Sequence, residues 1–296
     1  MKPTNSTARA FGRWLRDWLS VGLIRGLLLL PYRIRIPLTG WILAYVVAPL
    51  AGYRDRVRKN LALVFPQMPK GEVERLVRAV PDNIGRTLIE IWSGDDFKRH
   101  VARTPLRGAG AAALQEALQD GRGVILVSGH FGNYDVLRAR LAADGHMVGG
   151  LYRPFASPRL DRPYRKAIAG IGGPIFPRGR RGLAEMVRHL RDGGLVGILI
   201  DQHMSHGAPL KFFGRTAMTA VSAAEMALKY NALLVPVYGV RQPDGINFEL
   251  LVEAPVPPST PEIMTQARND SRERQVRAHM DQWLWVHRRW KGARAG

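Results

Sequence analysis

The sequence predicts an α/β fold with a largely parallel sheet flanked by helices, and three observations carry that reading. From residue 109 onwards, short apolar runs bounded by glycine alternate with stretches of helical periodicity. That is the pattern of strands joined by crossover helices. The runs Gly123–Ser128 and Leu195–Ile200 are apolar almost throughout, so they suit strands covered on both faces. Each is followed by polar residues, His130 after one and Asp201-Gln202 after the other, at the strand ends where open α/β sheets hold ligands.

Taken in order, residues 1–9 are polar and are expected to be unordered. Between Phe11 and Tyr53, Arg13, Arg16 and Arg25 interleave with Trp14, Leu15, Trp18, Leu19, Leu23 and Leu27. Aromatic anchors beside snorkelling arginines describe an interfacial helix. Ile36–Tyr53 carries no charge and is long enough to be considered as a span, although Gly40 and Pro49 interrupt it. No small-x-small site follows the first apolar run, so a cleaved signal peptide fits less well. Residues 1–55 are therefore read as a membrane-anchoring helical segment and 56–296 as the functional domain. A buried globular helix pair is the competing reading. The basic flank 54–60 favours the cytoplasmic face.

Glu72–Trp92 reads as helix with a break near Pro81, and Ala109–Leu118 as helix ending before Asp120-Gly121. After the strand 123–128 come a helix Tyr134–Ala143, a strand Met147–Tyr152 and a helix Asp161–Ala169. Leu183–Arg191 is a helix stopped by Asp192-Gly193-Gly194, and strand 195–200 follows. Ala220–Asn231 is a helix rich in small residues. Leu233–Val240 and Ile246–Val252 are strands joined by the turn Pro243-Asp244-Gly245. Pro255–Pro261 is a linker, and Glu262–Trp290 is expected to be mostly helix.

Composition narrows the chemistry. Forty-four Lys and Arg against 24 Asp and Glu give a net charge of +20, which demands a polyanionic environment. The basic residues are spread along the chain with no nucleic-acid motif, so an anionic membrane or an acidic protein is favoured. The absence of cysteine excludes disulfides and thiolate chemistry, and no Gly-x-Ser-x-Gly elbow occurs. His203 and His206 lack a companion ligand set, so neither metal nor cofactor is expected.

What remains is His130 with Asp135 five residues on, across a strand, a glycine turn and a helix start. A carboxylate on one ring nitrogen leaves the other free as a base. Without a nucleophile, that pair suits direct deprotonation of a substrate hydroxyl. The same pair could instead cap the strand end for stability alone.

Several stretches together resemble the lipid A late (secondary) acyltransferases, a branch of the lysophospholipid acyltransferases. They are His130-Phe131-Gly132-Asn133-Tyr134-Asp135, Tyr152-Arg153-Pro154, Asp201-Gln202, Phe212-Phe213-Gly214-Arg215 with Thr219, and Gln282 to Trp290, preceded by Arg58-Lys59-Asn60-Leu61 and Phe65-Pro66. The resemblance implies a glycerophosphate-acyltransferase-like fold and an inner-membrane anchor. It also implies transfer of an acyl chain from acyl carrier protein to a lipid hydroxyl. The family more often has glutamate where Asp135 stands. It tends to carry an arginine near Ile168, for which Arg165 or Lys166 would substitute. The acceptor is a lipid A precursor, or alternatively a lyso-glycerolipid or lyso-aminolipid. A non-catalytic basic membrane-binding protein is the alternative of another class.

On these residues, His130 is the expected base and Asp135 its orienter. The amides of residues 131–133 are candidate oxyanion donors. Asn133, Arg153, Arg165, Arg178 and Asp201 are candidate substrate-binding residues. Asp201, an expensive carboxylate at a strand end, is expected to pair with Arg153 or Arg178. Phe212 and Phe213 line an acyl channel or belong to the core. Trp283, Trp285 and Trp290 sit at a membrane interface or pack the last helix on the sheet. Arg178, Arg180, Arg181, Arg288 and Arg289 are candidates for capturing an acidic carrier protein.

Overall fold

A strand that is apolar on both faces needs a helical layer on each side, and this chain supplies both. The computed structural model describes residues 5–291, with side chains from residue 17. The chain opens with α1 (Asn5–Leu28), α2 (Tyr32–Ile42), a π-type turn (Leu43–Val47), α3 (Ala48–Leu50), α4 (Tyr53–Val64), α5 (Lys70–Trp92) and α6 (Asp95–Val101). It continues through β1 (Leu106–Arg107), α7 (Ala111–Gln119), β2 (Val124–Ser128), α8 (Val136–Ala143), β3 (Val148–Tyr152), α9 (Pro158–Ile171), β4 (Ile175–Pro177) and α10 (Arg180–Arg191). Then come β5 (Leu195–Leu199), β6 (Ala208–Phe212), β7 (Arg215–Thr219), α11 (Ser222–Lys229), β8 (Leu233–Arg241), β9 (Phe248–Val252) and α12 (Pro261–Ala278).

The main sheet is 7-stranded in the order β1-β9-β8-β2-β5-β3-β4, and β6-β7 form a separate hairpin. All pairings in the main sheet are parallel except β8 with β9. Alternation along the central strand β2 divides the core. Val124 and Leu126 pack with α6, α7, α8 and α9 through Phe97, Leu114, Leu137 and Ile168. Ile125 and Val127 pack with α10, α11 and α12 through Met186, Ala224 and Met264. The chain thus leaves β2 on one face and returns after β5 on the other. This divergence opens a crevice at their carboxyl ends.

Several expectations need correction. Helix α1 begins at Asn5, within the segment expected to be unordered. Residues 1–4, and the side chains of Arg13, Trp14, Leu15 and Arg16, lie outside the described residues. Pro81 sits inside α5 without ending it. Burial of Val77, Val80 and Ile91 holds α5 in place, and this outweighs a local penalty of about 3 kcal/mol. The C-terminal α-helix ends at Ala278, and after one 3-10 turn (Met280–Gln282) the chain folds back as an irregular segment. There Trp283, Trp285 and Trp290 are buried in an aromatic cluster with Phe212 and Phe213. They therefore do not reach a membrane interface.

Among the described residues no single helix is long and apolar enough to cross a membrane. Tyr32–Leu50 and Tyr53–Val64 reach that length and composition only as a pair bent by 87°. Helix α2 packs on α5 at close range. A Cβ on Gly85 would stand 2.6 Å from the Thr39 carbonyl, so only glycine allows the two backbones to approach.

Helix α5 is also pinned to the sheet by a buried ion pair. Both Glu90 carboxylate oxygens accept from Arg241 on β8, and Asn83 and Thr87 take the remaining guanidinium groups. Glu90 is 0 % exposed. Breaking the pair on one side leaves a buried charge, so Glu90→Leu is expected to cost roughly 3–5 kcal/mol in chemical denaturation. Glu90→Leu with Arg241→Met should recover most of that loss. A double variant as unstable as the single one would show that hydrogen bonding, and not charge burial, dominates.

Candidate active site

Register carries His130 and Asp201 to the same level. Ser128 of β2 pairs with Leu199 of β5, and each polar residue lies two positions further on. The His130 Nδ1 atom stands 2.8 Å from Asp201 Oδ1, and the His130 amide donates to Asp201 Oδ2 at 2.7 Å. The indole N–H of Trp283 donates to the same Oδ2 at 3.0 Å. One carboxylate therefore ties the histidine ring, its backbone and the C-terminal segment together. Burial by itself would raise the Asp201 carboxyl. The His130 charge and hydrogen bonds, with the Arg272 guanidinium, outweigh it and hold the group well below the usual carboxylate range. With Nδ1 engaged, Nε2 is the ring nitrogen left for a substrate.

The loop after β2 is shaped by close contacts. Gly132 has φ +52°, and a Cβ there would stand 1.9 Å from the Gly239 carbonyl. Only glycine fits both constraints. The amides of Phe131, Gly132 and Asn133 donate to the carbonyls of Gly129, Gln282 and Gly239. They are consumed by the fold and do not form the expected oxyanion hole. Phe131 also forms an antiparallel bridge with Trp283, which clamps the loop under the C-terminal segment.

His130 lines a cavity of about 250 Å³ between the ends of β2, β5 and β3 and helices α8 and α9. Its walls include Leu126, Leu137, Leu151, Ile168, Ile175 and Ile198. Exposed Arg153 and Phe155 stand at its outer side, and buried Asp135 and Arg138 lie deeper. Gly150 and Gly197 lack side chains on adjacent strands, and Arg138 lies across them. Tyr134 and Tyr164 also line the cavity. Burial, with Tyr164 and Asp135 nearby, pushes the Tyr134 phenol well up, and burial with Asp135 pushes Tyr164 up to about 12. Both are neutral hydrogen-bonding groups.

The predicted site residues separate into three groups. His130, Asp135 and Arg153 line the cavity, and Asp201 stands behind the histidine. The carboxylate on the imidazole is that of Asp201 and not of Asp135. Asp135 pairs with Arg138 three residues along α8, and Arg138 also donates to the Ile168 and Gly172 carbonyls. A carboxylate at the first turn of α8 meets its i+3 neighbour more directly than a ring five residues back. Arg138 went unread in the sequence, although the spacing Asp135-x-x-Arg138 is visible there. Asp201 consequently pairs with neither Arg153 nor Arg178.

The other candidates lie elsewhere. Asn133 is fully buried, with its amide on Glu90 and its carbonyl accepting from the Asp135 N–H, so it holds the loop. Arg165 and Arg178 are exposed and do not line the cavity. Phe212 and Phe213 belong to the aromatic core. Of the basic residues expected to face a carrier protein, Arg178, Arg180, Arg181 and Arg288 are exposed, whereas Arg289 is 0 % exposed. His287 lies outside the cavity lining but within the electrostatic reach of Asp201 and His130, and its Nε2 accepts from the His203 amide at 3.0 Å. Burial holds its pKa below the ordinary histidine value despite the Asp201 charge.

Comparison with known proteins gives a consistent picture. Residues 1–292 match the family model described as bacterial lipid A biosynthesis acyltransferase. The chain is 27 % identical over 299 residues to a lipid A biosynthesis lauroyltransferase of Escherichia coli, covering 98 % of this chain and 95 % of the relative. It is 27 % identical to a lipid A biosynthesis acyltransferase of Haemophilus influenzae, covering 94 % and 90 %. A phosphatidylinositol mannoside acyltransferase of Mycolicibacterium smegmatis is 22 % identical, covering 81 % and 80 %.

The depressed Asp201 carboxyl sets an acid limit. Its folded value lies below the ordinary 3.8, so its contribution to stability is fully present above that value and is lost as pH falls through the folded one. Asp201→Asn lacks this contribution. Denaturation of both proteins from about pH 5 to about pH 2 should show the stability gap closing as pH falls. A constant gap would place the proton elsewhere.

Proposed function

The chain belongs to the bacterial lipid A biosynthesis acyltransferases, and from that premise we propose a membrane-bound O-acyltransferase. It moves a fatty acyl chain from an acyl carrier protein thioester to a hydroxyl of a lipid A precursor. His130 is the general base. The observation that carries this reading is the His130–Asp201 pair facing an apolar-walled cavity.

In this reading the acyl chain occupies the cavity and brings its thioester carbonyl beside the imidazole. His130 Nε2 takes the proton of the acceptor hydroxyl as its oxygen attacks the carbonyl carbon. Asp201 holds the Nδ1 proton and stabilises the imidazolium that forms. Collapse of the tetrahedral intermediate breaks the carbon–sulfur bond, and the imidazolium returns its proton to the leaving thiolate. Arg153 at the outer side of the cavity contacts an anionic group of a substrate. The Asp135–Arg138 pair shapes the buried end.

Residues 1–55 anchor the enzyme at the inner face of the cytoplasmic membrane. In support, Leu19 is 65 % and Leu50 86 % exposed, and Trp18, Leu23 and Trp41 are about half exposed. Arg54, Arg56, Arg58 and Lys59 follow these apolar residues closely in the sequence. The Arg159 guanidinium of α9 lies 5.5 Å from the Trp18 ring, so the apolar surface adjoins a helix that lines the cavity. A lyso-glycerolipid or lyso-aminolipid acceptor is the second reading. An acceptor other than lipid A is supported by a relative named for a different lipid, the phosphatidylinositol mannoside acyltransferase, and by Ile168 near the place where the family tends to carry arginine. Mass spectrometry of membrane lipids with and without the gene separates the two.

His130→Ala should lower acyl transfer by roughly 10²–10⁴-fold in a folded, membrane-bound protein. Asp201→Asn should follow it, because the amide cannot stabilise imidazolium. Near-normal turnover in either variant removes that residue from the mechanism.

The donor is tested separately. Arg180 and Arg181 are exposed at the start of α10. Reversing both to glutamate should raise KM for acyl carrier protein, most strongly at low salt, and leave kcat nearly intact. Equal or better use of the coenzyme A thioester of the same chain, with no salt dependence for the carrier, would sink the carrier-protein donor.

A further inference from the structure

Three arginines meet in the interior behind the catalytic loop, and they outnumber the acids around them. Arg268 and Arg272 stand four residues apart on α12, and Arg289 comes from the C-terminal segment. All three are at most 1 % exposed. Arg268 and Arg289 each sit in the repulsive field of Arg272, and the carboxylate they share is Asp201. That carboxylate already serves His130 and Trp283. Like charges four apart on a helix destabilise it, and burial makes the repulsion stronger.

The hydrogen-bonding is also incomplete. Arg272 gives Nη2 to the Ser128 carbonyl, and Arg289 reaches the Met218 carbonyl and Thr219. Among the described residues, no acceptor meets Arg268 Nε, Nη1 or Nη2, Arg272 Nε or Nη1, or Arg289 Nε. A buried donor without an acceptor is costly, and a buried charge without a partner costs more. Burial draws Arg268 down to about 9 and Arg289 down to about 10, so both keep their charge at neutral pH. A water molecule would supply an acceptor and no charge. A small anion supplies both.

We propose that Arg268, Arg272 and Arg289 form an internal binding site for a monovalent inorganic anion of the halide class, between α12 and the carboxyl ends of β2 and β5. Complete burial of all three side chains excludes a ligand with a large solvent-facing part, so a monatomic ion fits better than a phosphorylated metabolite. The bound ion neutralises part of the surplus charge. It also leaves Asp201 engaged with His130, because Arg272 is then not driven to compete for that carboxylate.

The test uses the full-length protein in detergent and reads no acyl transfer, so it stands apart from the functional reading. The thermal midpoint is followed while sodium chloride replaces sodium gluconate at constant ionic strength. Crystals grown in sodium bromide are measured at the bromine absorption edge. A ligand that binds only the folded state stabilises it by mass action, so the wild-type midpoint should rise by several degrees and saturate. Arg268→Met should lose the chloride response. An anomalous peak is expected within hydrogen-bonding distance of Arg268. A wild-type midpoint equal in the two salts, or water density without an anomalous peak beside Arg268, overturns the proposal. If Arg268→Met fails to fold, the wild-type titration and the bromide map decide the question by themselves.

Discussion

The Asp201 carboxylate is the contact on which the rest of the site depends. It sits past the end of β5 and takes three donors: the His130 ring, the His130 amide and the Trp283 indole. Two adjacent parallel strands are thereby locked at the level where their connections diverge to opposite faces of the sheet. A carboxylate in this position would be prohibitively costly if unpaired. The surrounding fold is consequently committed to supplying its partners, among them Arg272 through the electrostatic field. Removing the carboxylate would leave the His130 ring, the His130 amide and the Trp283 indole without their shared acceptor.

The polar interior around this contact serves position more than stability. Glu90 and Arg241 join α5 to β8, and Asn133 links that pair to the loop carrying His130. Buried ion pairs contribute little net stability, yet they punish misplacement heavily. The amides of Phe131, Gly132 and Asn133 are taken by backbone carbonyls and that of His130 by the Asp201 carboxylate, which leaves the outer nitrogen of the histidine ring to face the cavity. The aromatic cluster of Phe212, Phe213, Trp283, Trp285 and Trp290 seals the opposite side. It packs against α4 and α5 through Leu61, Leu76 and Val80. Asn60 on α4 donates to the Trp285 and His287 carbonyls. Helices α4 and α5 therefore belong to the same packed unit as the site.

The sequence by itself determined the class of the fold, the central strands and the strand-end histidine. Uniformly apolar runs such as Val124–Val127 admit few environments, and the glycines after them leave little choice of turn. It also identified Asp201 as a carboxylate too costly to stand alone. Tertiary structure decided which partner that carboxylate takes. His130 and Asp201 are 71 residues apart, and only the pairing of β2 with β5 brings them level. Asp135, read as the orienter from its sequence distance, meets Arg138 because helical geometry favours the i+3 neighbour. The aromatic residues near the C-terminus read equally well as membrane anchors or as core, because hydrophobicity does not specify what covers it. Their burial, and the gathering of Arg268, Arg272 and Arg289 behind the site, follow from long-range packing that local periodicity does not encode.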